Sequence, residues 1–102
     1  MPSEHRLASM NGLSPRIGPP TLGVLEREVG GCVVLLPPDQ TQVLVLNETA
    51  SDVWRLVDGD LTLSDIVSLL ARAYGVEPLA ICDEVASTIR RFEENGLVSV
   101  AR

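Results

Sequence analysis

The chain contains no lysine. All eight of its cationic side chains are arginine, set against 14 acids for a net charge of −6. Residues 1–20 hold one acid, Glu4, and two arginines, Arg6 and Arg16, so the remainder carries −7. Duplex nucleic acid is bound by a basic face that releases counterions, and an acidic body with scattered arginines argues against that class. It suits a partner with some positive charge. Histidine occurs once, at His5, and the two cysteines, Cys32 and Cys82, are fifty positions apart with no CxxC pair. That excludes an ordinary zinc site and suggests reduced cysteines packed as small apolar residues in a cytoplasmic protein. Aromatic residues make up only 3% of the chain, so the core must be aliphatic. No apolar run approaches the roughly 18 residues of a membrane span, and no apolar segment near the N-terminus reads as a secretory signal.

Catalytic constellations are also missing. There is no GxSxG, no HExxH and no phosphate-binding loop. Cys82 would need a base to act as a nucleophile, and the single histidine sits in a proline-bearing N-terminal stretch. The acids Glu93 and Glu94 fall on a solvated helix end. The expectation is a protein that makes no bonds itself and carries no cofactor.

What is present is organised around Val43-Leu44-Val45-Leu46-Asn47-Glu48-Thr49-Ala50. The first half is a strand of β-branched and aliphatic residues. The second half is a helix start, with Asn47 as N-cap and Glu48 where the helix dipole favours an acid. Before it, Leu22 to Val29 alternates at period two, Gly30-Gly31 marks a two-residue hairpin turn, and Cys32 to Leu36 is apolar throughout. Pro37-Pro38-Asp39-Gln40 forms the next turn, and Gln42 to Leu46 is the third strand of a meander.

Three helices follow. The first spans about Glu48 to Val57, with Ala50, Val53, Trp54 and Val57 on one face and Gly59 near its cap. Trp54, the only tryptophan, is expected to anchor it on the sheet. The second opens with Thr62 and Asp65 as a capping box, buries Ile66, Leu69, Leu70 and Ala73, and ends at Gly75. The third begins near Glu77-Pro78 and ends at Asn95-Gly96. In it Ile81, Cys82, Val85, Thr88, Ile89 and Phe92 lie within about 60° of Val85. Glu84 and Arg91 lie on one flank of that stripe, Ala86 and Arg90 on the other. Leu97 to Val100 is a short apolar segment able to close the core. The order βββααα defines an α+β, winged-helix-like domain over residues 21–102, with 1–20 as a flexible tail.

Four features together resemble the PqqD-like family of precursor-peptide recognition elements. They are Leu46-Asn47-Glu48-Thr49-Ala50 with Val53-Trp54 and Asp58-Gly59; Thr62-Leu63 with Ile66; Tyr74-Gly75-Val76-Glu77-Pro78 with Asp83 or Glu84 and Val85; and Asn95-Gly96-Leu97-Val98. The resemblance covers residues 31–98. It implies a module that binds the leader of a ribosomally made, post-translationally modified peptide (RiPP) and presents it to a leader peptidase or other modifying enzyme. In the family the leader adds as an extra antiparallel strand beside the third strand, against the third helix.

Carried onto this chain, the implied peptide site is Val43, Leu44, Val45 and Leu46 together with Ile81, Glu84, Val85, Thr88 and Arg91. The opposite flank, Ala86 with Arg90, remains the alternative. Strand alternation divides Val43 and Val45 from Leu44 and Leu46 without saying which pair faces the core. The free-standing size and Trp54 resemble the recognition proteins of lasso-peptide clusters. The alternative subtype is the peptide chaperone of pyrroloquinoline quinone synthesis, which serves a radical SAM enzyme. Trp54-Arg55-Leu56-Val57 departs from that group, where an aliphatic residue and often a cysteine precede Asp-Gly. A DNA-binding winged helix is the competing class, opposed by the charge.

Overall fold

The computed structural model describes residues 15–39 and 42–101. His5 with the rest of residues 1–14, and Gln40 of the second turn, lie outside the described residues. The strands are β1 (Arg16–Pro20), β2 (Leu25–Val29), β3 (Cys32–Leu36), β4 (Leu44–Val45) and β5 (Val98–Ala101). The helices, between β4 and β5, are α1 (Glu48–Trp54), α2 (Leu63–Tyr74) and α3 (Pro78–Glu94). An antiparallel sheet β2-β3-β4 precedes three helices, the α+β order read from the sequence, and a separate antiparallel pair β1-β5 joins the two ends.

The local signals explain most of these elements. Gly30 and Gly31 take φ of 59° and 84°, and the register Val29↔Cys32 closes a two-residue turn of the type that matches strand twist. Asn47 accepts the amide of Ala50 at 2.8 Å. Thr62 and Asp65 form the reciprocal capping box, at 3.0 and 3.2 Å. Gly75 ends α2 in the left-handed region at φ 70°, where the amide of Val76 reaches the carbonyl of Ala71.

Three expectations need correction. Residues 16–20 do not belong to a tail. Arg-Ile-Gly-Pro-Pro forms β1, with Ile17 buried and paired to Val100. Two prolines in five residues hide a strand, and β1 tolerates them because it is an edge. Gly18 is required there: at φ +98° its missing Cβ would stand 2.1 Å from the carbonyl oxygen of Val57. Second, α1 stops at Trp54, one turn early, and Gly59 does not cap it. Gly59 instead donates its amide to Ile17 at 2.9 Å and holds β1 against the segment after α1. Third, α2 buries Ile66, Val67, Leu70 and Ala71, while Leu69 and Ala73 are exposed. Apolar residues on adjacent faces of α2 supported either stripe, and packing against α3 selects this one.

The inner face of the sheet (Val33, Leu35, Leu44, Leu46) packs on Val53, Trp54, Ile66, Leu70, Val85 and Phe92 as one core. Trp54 anchors α1 as expected. Its ring meets Phe92 edge-on at 5.4 Å, and its Nε1 donates to Glu26 at 3.0 Å. No helix among the described residues is long and apolar enough to cross a membrane.

Candidate functional site

β4 is an edge strand. It pairs with β3 through Val34↔Val45 and Leu35↔Leu44, and nothing pairs on its other side among the described residues. The alternation left open by the sequence is resolved: Leu44 and Leu46 are buried, whereas Val43 and Val45 are 54% and 68% exposed. The amide of Leu46 donates to the carbonyl of Val33 at 2.9 Å. Backbone groups of successive residues in an antiparallel strand point to opposite sides. Leu44 and Leu46 therefore address β3, and Val43 and Val45 turn their N–H and C=O groups to the open edge.

The end of this edge is fixed by Ser51, a residue the sequence reading did not single out. Its hydroxyl accepts the amide of Val33 at 2.8 Å and donates to the carbonyl of Leu46 at 3.4 Å. It thus stands in for the last bond of the β3–β4 ladder at the point where the chain turns into α1. A small hydroxyl residue one turn into a helix that follows a strand directly was the available signal.

β2 is the opposite edge, and it differs chemically. Glu26 and Glu28 point inward, where Glu26 is held by Trp54 and Glu28 by Arg55. Charged residues along an edge discourage strand addition, and the aliphatic β4 edge has none.

α3 presents two distinct flanks. Ala86, Arg90 and Glu93 lie with Ile17, Leu63 and Val100 around a cavity of about 150 Å³ beside β1 and β5. Glu84, Thr88, Arg91 and Asn95 fall within about 60° of one another on the other flank. Asn95 and Gly96, with Glu94, line an open cleft of about 430 Å³ against Pro37, Pro38, Asp39 and Gln42, next to the start of β4. The charge of Glu84, at the other end, acts on Tyr74. Tyr74 in turn donates to Asp52 of α1 at 2.5 Å. The flank from Glu84 to Asn95 is therefore the one turned toward β4 and the start of α1, and Ala86 with Arg90 face the β1-β5 pair.

Of the α3 residues suggested by the sequence, Ile81 and Val85 are buried in the core. Glu84 and Arg91 are exposed, and Thr88 is half-buried with its hydroxyl bonded to the carbonyl of Glu84 at 2.8 Å. Tyr74 is the titratable group most altered here. Desolvation, reinforced by the hydrogen bond to Asp52 and by that carboxylate's charge, pushes its phenol up to about 12. Arg55 is held above its usual value mainly by its hydrogen bond with Glu28. Among the described residues no three of His, Cys, Asp and Glu gather as a metal site.

A small α+β domain with an open aliphatic strand edge beside one helix flank defines a fold class shared with known proteins. The sequence profile of coenzyme PQQ synthesis protein D (PqqD) matches residues 32–98, and the chain belongs to that family. Among solved structures, it is similar to the PqqD truncation of PqqCD from Methylobacterium extorquens, described as a functional, stand-alone RiPP recognition element. Identity is 27%, coverage 84% of this chain and 89% of that one, and the TM-score 0.62. It shares its fold with TbiB1, solved in complex with the TbiA(β) leader peptide, at 19% identity, 76% and 92% coverage and a TM-score of 0.66. No curated protein matches the chain.

Proposed function

We propose that this protein binds the leader segment of a ribosomally made precursor peptide by strand addition at β4 and delivers it to the enzyme that cleaves or modifies it. The observation that carries the reading is the open β4 edge, with the backbone groups of Val43 and Val45 unpaired among the described residues, in a chain of the PqqD family. Main-chain hydrogen bonds from those two residues hold the peptide, and side chains of the α3 flank select it. Glu84, Thr88 and Arg91 are the selecting residues. Leu44, Leu46, Ile81 and Val85 form the apolar floor that keeps strand and helix in place. The protein contributes binding and presentation, and the bond-making belongs to its partner.

The pathway is a lasso-peptide one in our reading, with a separate leader peptidase as partner. A second reading, service to a radical SAM enzyme in pyrroloquinoline quinone synthesis, is favoured by the 27% identity to the Methylobacterium PqqD domain. The test is direct binding of a fluorescent leader peptide, taken from each short open reading frame beside this gene. Micromolar or tighter dissociation, about 8 kcal/mol or more, supports the reading, and the precursor that binds decides the pathway. Val45→Pro removes an edge donor that makes no ladder bond, so the fold persists while binding is lost. Full binding by a folded Val45→Pro variant overturns strand addition at this edge.

A further inference from the structure

Just before β4, at Gln42, lies the cleft of about 430 Å³ that separates the turn at Pro37, Pro38 and Asp39 from the last turn of α3. Two carboxylates line it, Asp39 from the turn and Glu94 from the helix, and both residues are exposed. Neither side chain, nor that of Gln42, forms a hydrogen bond or ion pair among the described residues. A cleft lined by one sign of charge concentrates the opposite charge. Its concave shape suits an inserted side chain better than a flat contact.

The backbone adds to this field. α3 ends at Glu94, so the negative pole of its dipole falls at the cleft. A cation is the favoured residue at that end of a helix, and an acid opposes the dipole. Glu94 thus stands where local preference is broken, and such departures are expected where a ligand uses them. The chain supplies no remedy among the described residues. No arginine lines the cleft. Arg91, one turn earlier on the same flank, makes no ion pair with Glu94. Arg55 is held by Glu28 and Asp52. The missing counter-charge must come from a bound molecule, and the unpaired β4 edge beside the cleft is where a peptide would bring it.

We infer that this cleft takes a lysine or arginine side chain of the bound leader, and that Asp39 and Glu94 select leaders by that charge. The inference rests on the function proposed above. The sheet gives the position of the cation along the peptide. Every pairing in β2-β3-β4 is antiparallel, and a strand that continues the pattern runs opposite to β4. Such a strand passes Val45 first and Val43 second, and meets the cleft as it leaves the edge. The cation therefore stands on the C-terminal side of the segment paired with Val43 and Val45. A leader acid facing Arg91 lies earlier in the peptide, so the two charges read different leader residues.

The test uses the full chain and the leader peptide that binds it, with each leader lysine and arginine changed to glutamine in turn. The double variant Asp39→Asn with Glu94→Gln alters only exposed side chains, and its circular dichroism should match the parent. It should bind the leader about fivefold more weakly or worse, with the larger loss at low salt. One leader substitution, C-terminal to the paired segment, should cost the parent as much and cost the double variant nothing, since groups in contact do not add. Unchanged leader affinity in the double variant overturns the inference, as does a loss that simply adds to that of every leader substitution. Calcium binding by the parent that the double variant loses also overturns it, in favour of a metal ion. Val45→Pro separates the two readings. Binding lost in Val45→Pro but kept by the cleft variant leaves strand addition standing and removes the charge selection. If no neighbouring leader binds the parent, both readings fall.

Discussion

The hydroxyl of Ser51 accepts the backbone amide of Val33 at 2.8 Å, and both groups are buried. This bond fastens α1 to β3 at the point where β4 ends, so the β4 edge and the first helix are tied together. Ser51→Ala leaves the amide of Val33 without its partner and the carbonyl of Leu46 without its donor. We expect a loss of about 1–3 kcal/mol in urea unfolding. An unchanged midpoint would mean that water replaces the hydroxyl at no cost.

Tyr74 gives a pH prediction with a definite sign. It is the only tyrosine, so the phenolate absorbance of the folded protein reports this residue alone. Its folded value of about 12 exceeds the ordinary value of 10.0. The neutral phenol that donates to Asp52 is thus favoured by folding. That contribution is complete below pH 10.0 and is lost as pH rises through about 12. Asp52→Asn should lower the native titration midpoint, because it removes the charge opposing phenolate formation. A parent midpoint near the ordinary value would contradict the geometry.

The two flanks of α3 separate two arginines. Arg91 lies on the flank turned toward β4, and Arg90 lines the cavity beside Ile17 and Val100. Arg91→Glu should weaken leader binding, more at low salt than at high, while Arg90→Glu should leave it unchanged. An exposed ion pair supplies only about 0–1 kcal/mol, so a larger loss would place Arg91 in a partly dry site. The reverse pattern, with Arg90 sensitive and Arg91 silent, would move the peptide to the other side of the helix.

Much of this was legible in the residues. The Gly30-Gly31 turn, the Asn47 cap, the Thr62 and Asp65 box and the buried stripe of α3 are all local signals, and each appears where its chemistry requires. Trp54 as the α1 anchor was legible too, because a lone large apolar residue in an aliphatic chain has few other places to go. What escaped depends on distant partners. β1 exists because β5 and the segment after α1 pair with Arg16 to Pro20, and nothing within those five residues announces it. The choice of Val67 and Ala71 over Leu69 and Ala73 in α2 was made by α3. The roles of Leu44 and Val45 were undetermined until the register with β3 was known, since a shift of one residue exchanges the two faces. The candidate site was legible as a segment and a helix, and the direction of its backbone groups was not.

The most direct test of the central claim is amide hydrogen exchange at Val45, with and without leader peptide. Its N–H faces the open edge in the free protein and should exchange much faster than that of Leu46, which is bonded to Val33. Strand addition should protect Val45, and Val43 with it, while the β2 edge amides at Glu26 and Glu28 keep their free rates. Tight leader binding that leaves Val45 as fast as before, or protects β2 instead, would contradict the account.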